Sequence, residues 1–168
     1  NSVLDLLQAS MDFSENSTKP KLEQVSFNAN MDENLTVLSD YVESRNVKLF
    51  KKLGEDAVVK IDKRKFYVAC YSIARFACDV MNHGGNLYFS SKCENNAVIL
   101  NIKDENTEIK PEMIKEVFNP YFSYAGNPST GLSLAISKFL IEAMHATFEL
   151  HIEDSGTNYR VSIPVSML

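Results

Sequence analysis

The residues best equipped for chemistry in this sequence fall in three stretches. Asp104 closes an alternating apolar run, Ala97 to Lys103, and Asn106 and Glu108 follow it in a polar loop. A carboxylate at a strand end can accept hydrogen bonds from a ligand. An ordinary acidic loop residue carries the same signature. Ser129-Thr130-Gly131-Leu132-Ser133 opens an apolar helical pattern. A helix N-terminus there offers an anion free backbone N–H groups and a positive dipole end, while Thr130 and Ser133 also suit plain capping. The third stretch is a polar stripe, Ser72, Arg75, Asp79 and Asn82, with Phe76 among the apolar residues beside it. On spacing alone Asp79 reads as a solvated residue and Phe76 as core.

The remaining candidates read as structural. His83 sits in a helix-ending turn, His145 in an apolar helix and His151 in the last hairpin, and none has the setting of a phosphoacceptor. Cys70, Cys78 and Cys93 are odd in number and lack metal-ligand spacing, so no metal site is expected. Cys70 and Cys78 lie in an apolar helical pattern, as small buried hydrophobes do.

These residues need elements to position them. Apolar spacing predicts helices over Ser2–Phe13, Met31–Glu43, Arg64–Met81 and Gly131–Ala146, with a short helix from Pro111 through Val117. Asn82-His83-Gly84-Gly85 is a strong stop for the longest of them. Leu22–Phe27 alternates weakly, as an edge strand does. Asn46–Leu53 and Ala57–Ile61 read as two short strands around Gly54-Glu55-Asp56. Asn86–Ser91 and Ala97–Lys103 read as a hairpin around Glu94-Asn95-Asn96. A final hairpin, Thr147–Ile152 with Asn158–Val165, turns at Asp154-Ser155-Gly156 and directs Tyr159, Val161 and Ile163 to one face. The order predicts an α+β two-layer sandwich, a mixed sheet packed on about three helices.

Composition narrows the function classes. With 168 residues, 45% of them hydrophobic, the chain suits one domain with a sizeable core. The 17 basic residues are outnumbered by 22 acidic ones and are not clustered, so nucleic acid is not an expected partner. No secretory signal and no apolar run of membrane-crossing length is read. The expected location is cytoplasmic, and the start at Asn1 reads as a cut within a longer parent that a membrane could hold.

Four ordered segments carry a resemblance. Ile61 to Ser91 is similar to a strand, aspartate, long helix, two-glycine turn and strand. Ile99 to Ser123 is similar to a strand, an aspartate motif D-x-G-x-G and an aromatic box. Ser129 to Met144 is similar to a glycine motif G-x-G-L-G-L opening a helix, and Ala146 to Val165 to a terminal hairpin ending in proline. In this order they resemble the catalytic, ATP-binding domain of bacterial sensor histidine kinases, in the GHKL superfamily. That resemblance implies a Bergerat-type fold over residues 21–168. Residues 1–20 would then be the stub of a dimerisation helix plus a linker.

The resemblance also shows what has changed. In the family an asparagine on the long helix holds Mg²⁺, and ungapped alignment puts Phe76 there. A one-turn slip would put Asp79 there instead. A phenyl ring cannot ligate a cation that demands oxygen. Asp104 retains the position that accepts adenine, but Asn106 and Glu108 replace flanking glycines that let backbone approach the base. Gly131 and Leu132 retain part of the phosphate motif, while Ser129 and Ser133 replace its other glycines. The cofactor-binding candidates are thus Asp104, Asn106, Gly131 and Leu132, with Asp79 and Phe76 on a degenerate metal-ligand helix.

Two functions follow from the resemblance. One is a pseudokinase-type module in two-component or phosphorelay signalling, docking partners with little or no binding of ATP or Mg²⁺ and no autophosphorylation by itself. The other is an active catalytic domain that binds ATP–Mg²⁺ and phosphorylates a histidine upstream. The implied partners are a histidine-containing dimerisation domain, a response regulator receiver domain and, in the full-length parent, a second copy.

Overall fold

The computed structural model describes residues 19–81, 83–105, 109–119 and 129–166. The expected helix at Ser2–Phe13 and the linker after it, up to residue 18, lie outside them. Chain order is β1 (Glu23–Ser26), α1 (Phe27–Ser44), β2 (Val47–Lys52), β3 (Val58–Ile61), α2 (Lys63–Val80), β4 (Gly85–Glu94) and β5 (Ala97–Asp104). A 3-10 turn (Pro111–Met113), α3 (Ser129–Ala143), β6 (Thr147–Glu153) and β7 (Gly156–Pro164) follow. This is the expected α+β sandwich, a mixed five-stranded sheet backed by three helices.

The sheet runs β2-β4-β5-β7-β6, with β2 parallel to β4 and every other pair antiparallel. The two strands flanking Gly54-Glu55-Asp56 do form but do not pair with each other. β2 joins the large sheet, while β3 pairs antiparallel with β1 in a separate two-stranded ribbon. The reason lies at Gly54, where a Cβ would stand 2.5 Å from the Ser91 carbonyl oxygen. The Gly54 N–H donates to Ser91 Oγ at 3.0 Å, so the chain is turned against β4 rather than back along β2.

Each helix begins and ends on local chemistry. Ser26 caps α1 by accepting from the Ala29 N–H at 3.1 Å. Phe27, Met31, Leu35, Leu38 and Val42 then bury one face. Asp62 caps α2 through the Lys65 N–H at 3.1 Å, and it also accepts from the Lys21 N–H at 2.8 Å. At the far end Gly84 adopts φ +82° with its Cα pressed on Asn46, where a Cβ would meet the Asn46 carbonyl oxygen at 2.5 Å. The β4–β5 hairpin turns through Asn95 and Asn96 at φ +53° and +60°, the two left-handed positions a tight hairpin requires.

The helix α2 is the middle of the sandwich. From Ser72 to Val80 every residue is buried. The stripe of Ser72, Arg75 and Asp79 is therefore buried rather than a solvated face. Ser137 Oγ ties α3 to α2 by donating to the Ala69 carbonyl at 3.0 Å. Tyr159, Val161 and Ile163 of β7 face the helices and are buried, as their alternation predicts. Burying a side chain of this size stabilises by about 1.5–3 kcal/mol before entropy is counted. Among the described residues no helix is long and apolar enough to cross a membrane.

Several details differ from the sequence reading: α1 starts at Phe27 rather than Met31, and the helix expected from Pro111 through Val117 is a 3-10 turn over Pro111–Met113. α3 starts at Ser129 rather than Gly131, which places Gly131 and Leu132 within its first turn. It stops at Ala143, so His145 is not helical but sits in the closing turn at φ +63°. The Ala146 N–H reaching back to the Ile141 carbonyl at 3.2 Å closes that turn.

Candidate nucleotide-type site

The candidate site lies where β5 ends, beside the start of β7 and under the last turns of α2. Register puts Lys103 opposite Asn158, so Asp104 arrives beside Thr157. Its carboxylate is buried, with 3% of the residue exposed. Oδ1 accepts from the Thr157 N–H at 3.0 Å. Oδ2 accepts from the Tyr159 hydroxyl at 2.9 Å. The close fit depends on Gly156, since a Cβ there would stand 1.9 Å from the Asp104 carbonyl oxygen.

Burial raises the Asp104 carboxyl to about 6, and the two hydrogen bonds hold it from rising further. The Tyr159 phenol, fully buried, is pushed well above its usual range by desolvation and then by the Asp104 charge. It therefore stays protonated and donates. Thr157 Oγ1 is buried beside this pair with no hydrogen-bond partner among the described residues.

Phe76 closes the floor of the site. It is fully buried and meets Tyr159 edge-to-face, with centroids 6.1 Å apart and planes at 79°. Asp79, one turn further along α2, is held elsewhere. Its Oδ1 meets Arg45 Nη2 at 2.7 Å and its Oδ2 lies 4.0 Å from Arg75 Nε. Arg45 also donates to the Tyr41 hydroxyl at 2.7 Å. Burial raises the Tyr41 phenol to about 12, against the lowering effect of Arg45. Burial likewise pushes the Cys78 thiol up to about 12; Arg45 opposes this, and the charges of Asp79 and Asp104 add to it. Cys70 and Cys78 are buried as small hydrophobes, while Cys93 is exposed.

The structure thus brings Phe76 and Asp104 together through Tyr159, and it ties Asp79 to Arg45. Gly131 and Leu132 are placed in the first helical turn of α3, and Asn106 and Glu108 lie outside the described residues. Of the aromatic box, Phe118 packs edge-to-face on Phe148 at 5.3 Å under the Lys138 ammonium, 4.9 Å from its ring centre. Tyr121 and Phe122 lie outside the described residues. Sequence reasoning missed Tyr159 and Arg45 as site residues. Its alternation marks Tyr159 only as a core position, and a hydroxyl in an otherwise apolar inward row is the available signal.

A mixed sheet whose helices lie on one face, with an aspartate closing a central strand beside the terminal hairpin, defines a GHKL-type ATPase fold. The family model "Histidine kinase-, DNA gyrase B-, and HSP90-like ATPase" matches residues 61–167, and the chain belongs to that family. It is a GHKL-type ATPase domain. Sporulation kinase B of Bacillus subtilis (strain 168) is 22% identical over 137 residues, covering 80% of this chain and 32% of that protein. The chain thus spans about a third of that relative's length. Among solved structures, full-length ShkA in complex with AMPPNP superposes with a TM-score of 0.81 at 14% identity, over 99% of this chain and 37% of that one. Histidine kinase ThkA in complex with response regulator protein TrrA superposes with a TM-score of 0.78 at 17% identity, over 99% of this chain and 49% of that one.

Proposed function

We propose that this domain is a degenerate histidine-kinase ATPase-type module that works in two-component or phosphorelay signalling by docking other proteins, with little or no ATP binding. One observation carries the reading: the acceptor oxygens of Asp104 already hold Thr157 and Tyr159, above a phenyl ring at Phe76. The residues present do not fit ATP–Mg²⁺. Phe76 has no oxygen for a cation. Asp79 supplies one, but its carboxylate is compensated by Arg45 at 2.7 Å. No catalytic step is assigned to the domain.

The partners that suit such a module are a histidine-containing dimerisation domain of the parent protein, its second copy, and a response regulator receiver domain. Support for the last is the likeness to ThkA, a kinase captured with its response regulator. The active reading has one observation in its favour. Thr157 Oγ1 is buried without a partner beside Asp104, and a carboxylate oxygen can accept a second hydrogen bond.

Calorimetric titration with ATP, with and without Mg²⁺, separates the two. Five family positions are altered, at Phe76, Asn106, Glu108, Ser129 and Ser133. At about 1.4 kcal/mol each, three such losses move a micromolar site to millimolar. The expected result is no saturable binding tighter than millimolar, with Asp104→Asn unchanged. Micromolar binding abolished by Asp104→Asn would establish the active reading instead.

A further inference from the structure

The face of the sheet turned away from the helices ends at β2, an edge strand with β4 on one side and, among the described residues, no strand on the other. Its sequence is Val-Lys-Leu-Phe-Lys-Lys, and Lys48, Phe50 and Lys52 share one face because strand side chains alternate. Phe50 is 45% exposed, although it is among the larger apolar residues of the chain. It is not loose there: it stacks on Tyr88 of β4 with centroids 5.2 Å apart and planes at 19°. Tyr88 is braced in turn by a hydrogen bond to Glu105. Lys51, on the other face, is taken by Asp32 at 2.6 Å. Lys48 and Lys52 have no ion pair among the described residues.

Lysines on an edge strand ordinarily guard against unwanted pairing. That role leaves Phe50 unexplained, since a guard gains nothing from a rigid exposed aromatic at the centre of the strand. We propose that β2 is a docking strand for an acidic extended segment of a partner protein, which adds to the sheet beside it. Backbone groups along the free edge would hold the incoming strand, and side chains at alternate positions would read it. The fitting sequence has an apolar residue opposite Phe50 and acidic residues two positions to either side, opposite Lys48 and Lys52. Cross-strand neighbours of opposite charge and aromatic–aliphatic pairs are the pairings that stabilise such a ladder. This inference is independent of whether the domain binds nucleotide.

Two other occupants fit less well. A single-stranded nucleic acid would meet a chain of net charge -5, and Phe50 already spends a ring face on Tyr88. A second copy could offer β6, where Glu149 and Glu153 alternate. Those carboxylates are engaged at home, Glu149 with His151 at 3.0 Å and Glu153 with Lys103 at 3.5 Å.

The test uses the isotope-labelled chain and a fluorescein-labelled peptide in which every second residue reads Glu, Val, Glu, with threonine at the positions between, so that one face carries an apolar residue flanked by two acidic ones. Saturable anisotropy is expected, with amide shifts concentrated on Val47–Lys52 and the facing residues of β4. The combined change Lys48→Glu and Lys52→Glu should weaken binding at least tenfold without altering the thermal melt, since both side chains are exposed. Phe50→Ser should weaken it several-fold, and a peptide N-methylated along its bonding edge should not bind. Absence of binding, shifts centred away from β2, or indifference to N-methylation each overturns the proposal. Displacement of the peptide by single-stranded oligothymidylate at lower concentration would assign the edge to nucleic acid. Concentration-dependent sedimentation abolished by the lysine changes would assign it to a second copy.

Discussion

The Tyr159 hydroxyl donates to Asp104 Oδ2 across 2.9 Å, joining the last strand to the end of β5 over 55 positions of sequence. With the Thr157 N–H on Oδ1, this gives the buried carboxylate a donor on each oxygen from within the domain itself. A group so satisfied needs no ligand to be stable.

Tyr159→Phe keeps the ring against Phe76 and removes only the donor. The carboxylate is then left short of a partner in a buried site, which costs about 1–3 kcal/mol. Urea unfolding at neutral pH should show that loss. A change below about 0.5 kcal/mol would mean the bond contributes nothing to the fold.

The Asp104 carboxyl also predicts a pH dependence. Its folded value, about 6, is raised above the ordinary carboxylate value. The folded state therefore binds the proton more tightly than the unfolded chain does. The resulting stabilisation is full below the unfolded value and is lost as pH rises through about 6. A shift of this size is worth at most about 3 kcal/mol. Unfolding free energies measured between pH 4 and 7 should fall in the wild type by more than in Asp104→Asn. Equal slopes would show that this carboxyl does not titrate as described.

Arg45→Met tests the setting of Asp79. It removes the guanidinium 2.7 Å from a buried carboxylate while retaining much of the aliphatic stem. Arg45 is about a third exposed, so the expected loss is about 1–3 kcal/mol, below that of a fully buried pair. Added Mg²⁺ should not restore it. Recovery of the melting temperature by Mg²⁺ in the variant would mean that Asp79, once freed, is a metal ligand.

Much of this architecture is legible in local pattern. Apolar steps of three and four residues mark α1, α2 and α3. Gly84 ends α2 in a left-handed turn, and Asn95-Asn96 supplies the two left-handed residues of the β4–β5 turn. Alternation in Tyr159, Val161 and Ile163 sets the inward face of β7. The family motifs point to Phe76 because that position counts from fixed landmarks, Asp62 and the glycine pair, and to Asp104 because it closes a strand at the aspartate motif. Each signal is carried by residues within a few positions of one another, where backbone geometry alone dictates which side chains share a face.

Pairings between elements were decided only by the tertiary structure. The strands around Gly54 looked like neighbours in sequence, yet β2 pairs with β4 and β3 with β1, because Ser91 holds the turn at Gly54. Asp79 looked like a solvated residue or a cation ligand, yet the last turns of α2 are buried and Arg45, 34 positions away, meets its charge. The hydroxyl on Asp104 belongs to a residue whose periodicity said only that it is core. Helical and strand periods specify the direction in which a side chain leaves its own element, but what it meets there depends on packing that brings distant segments into contact.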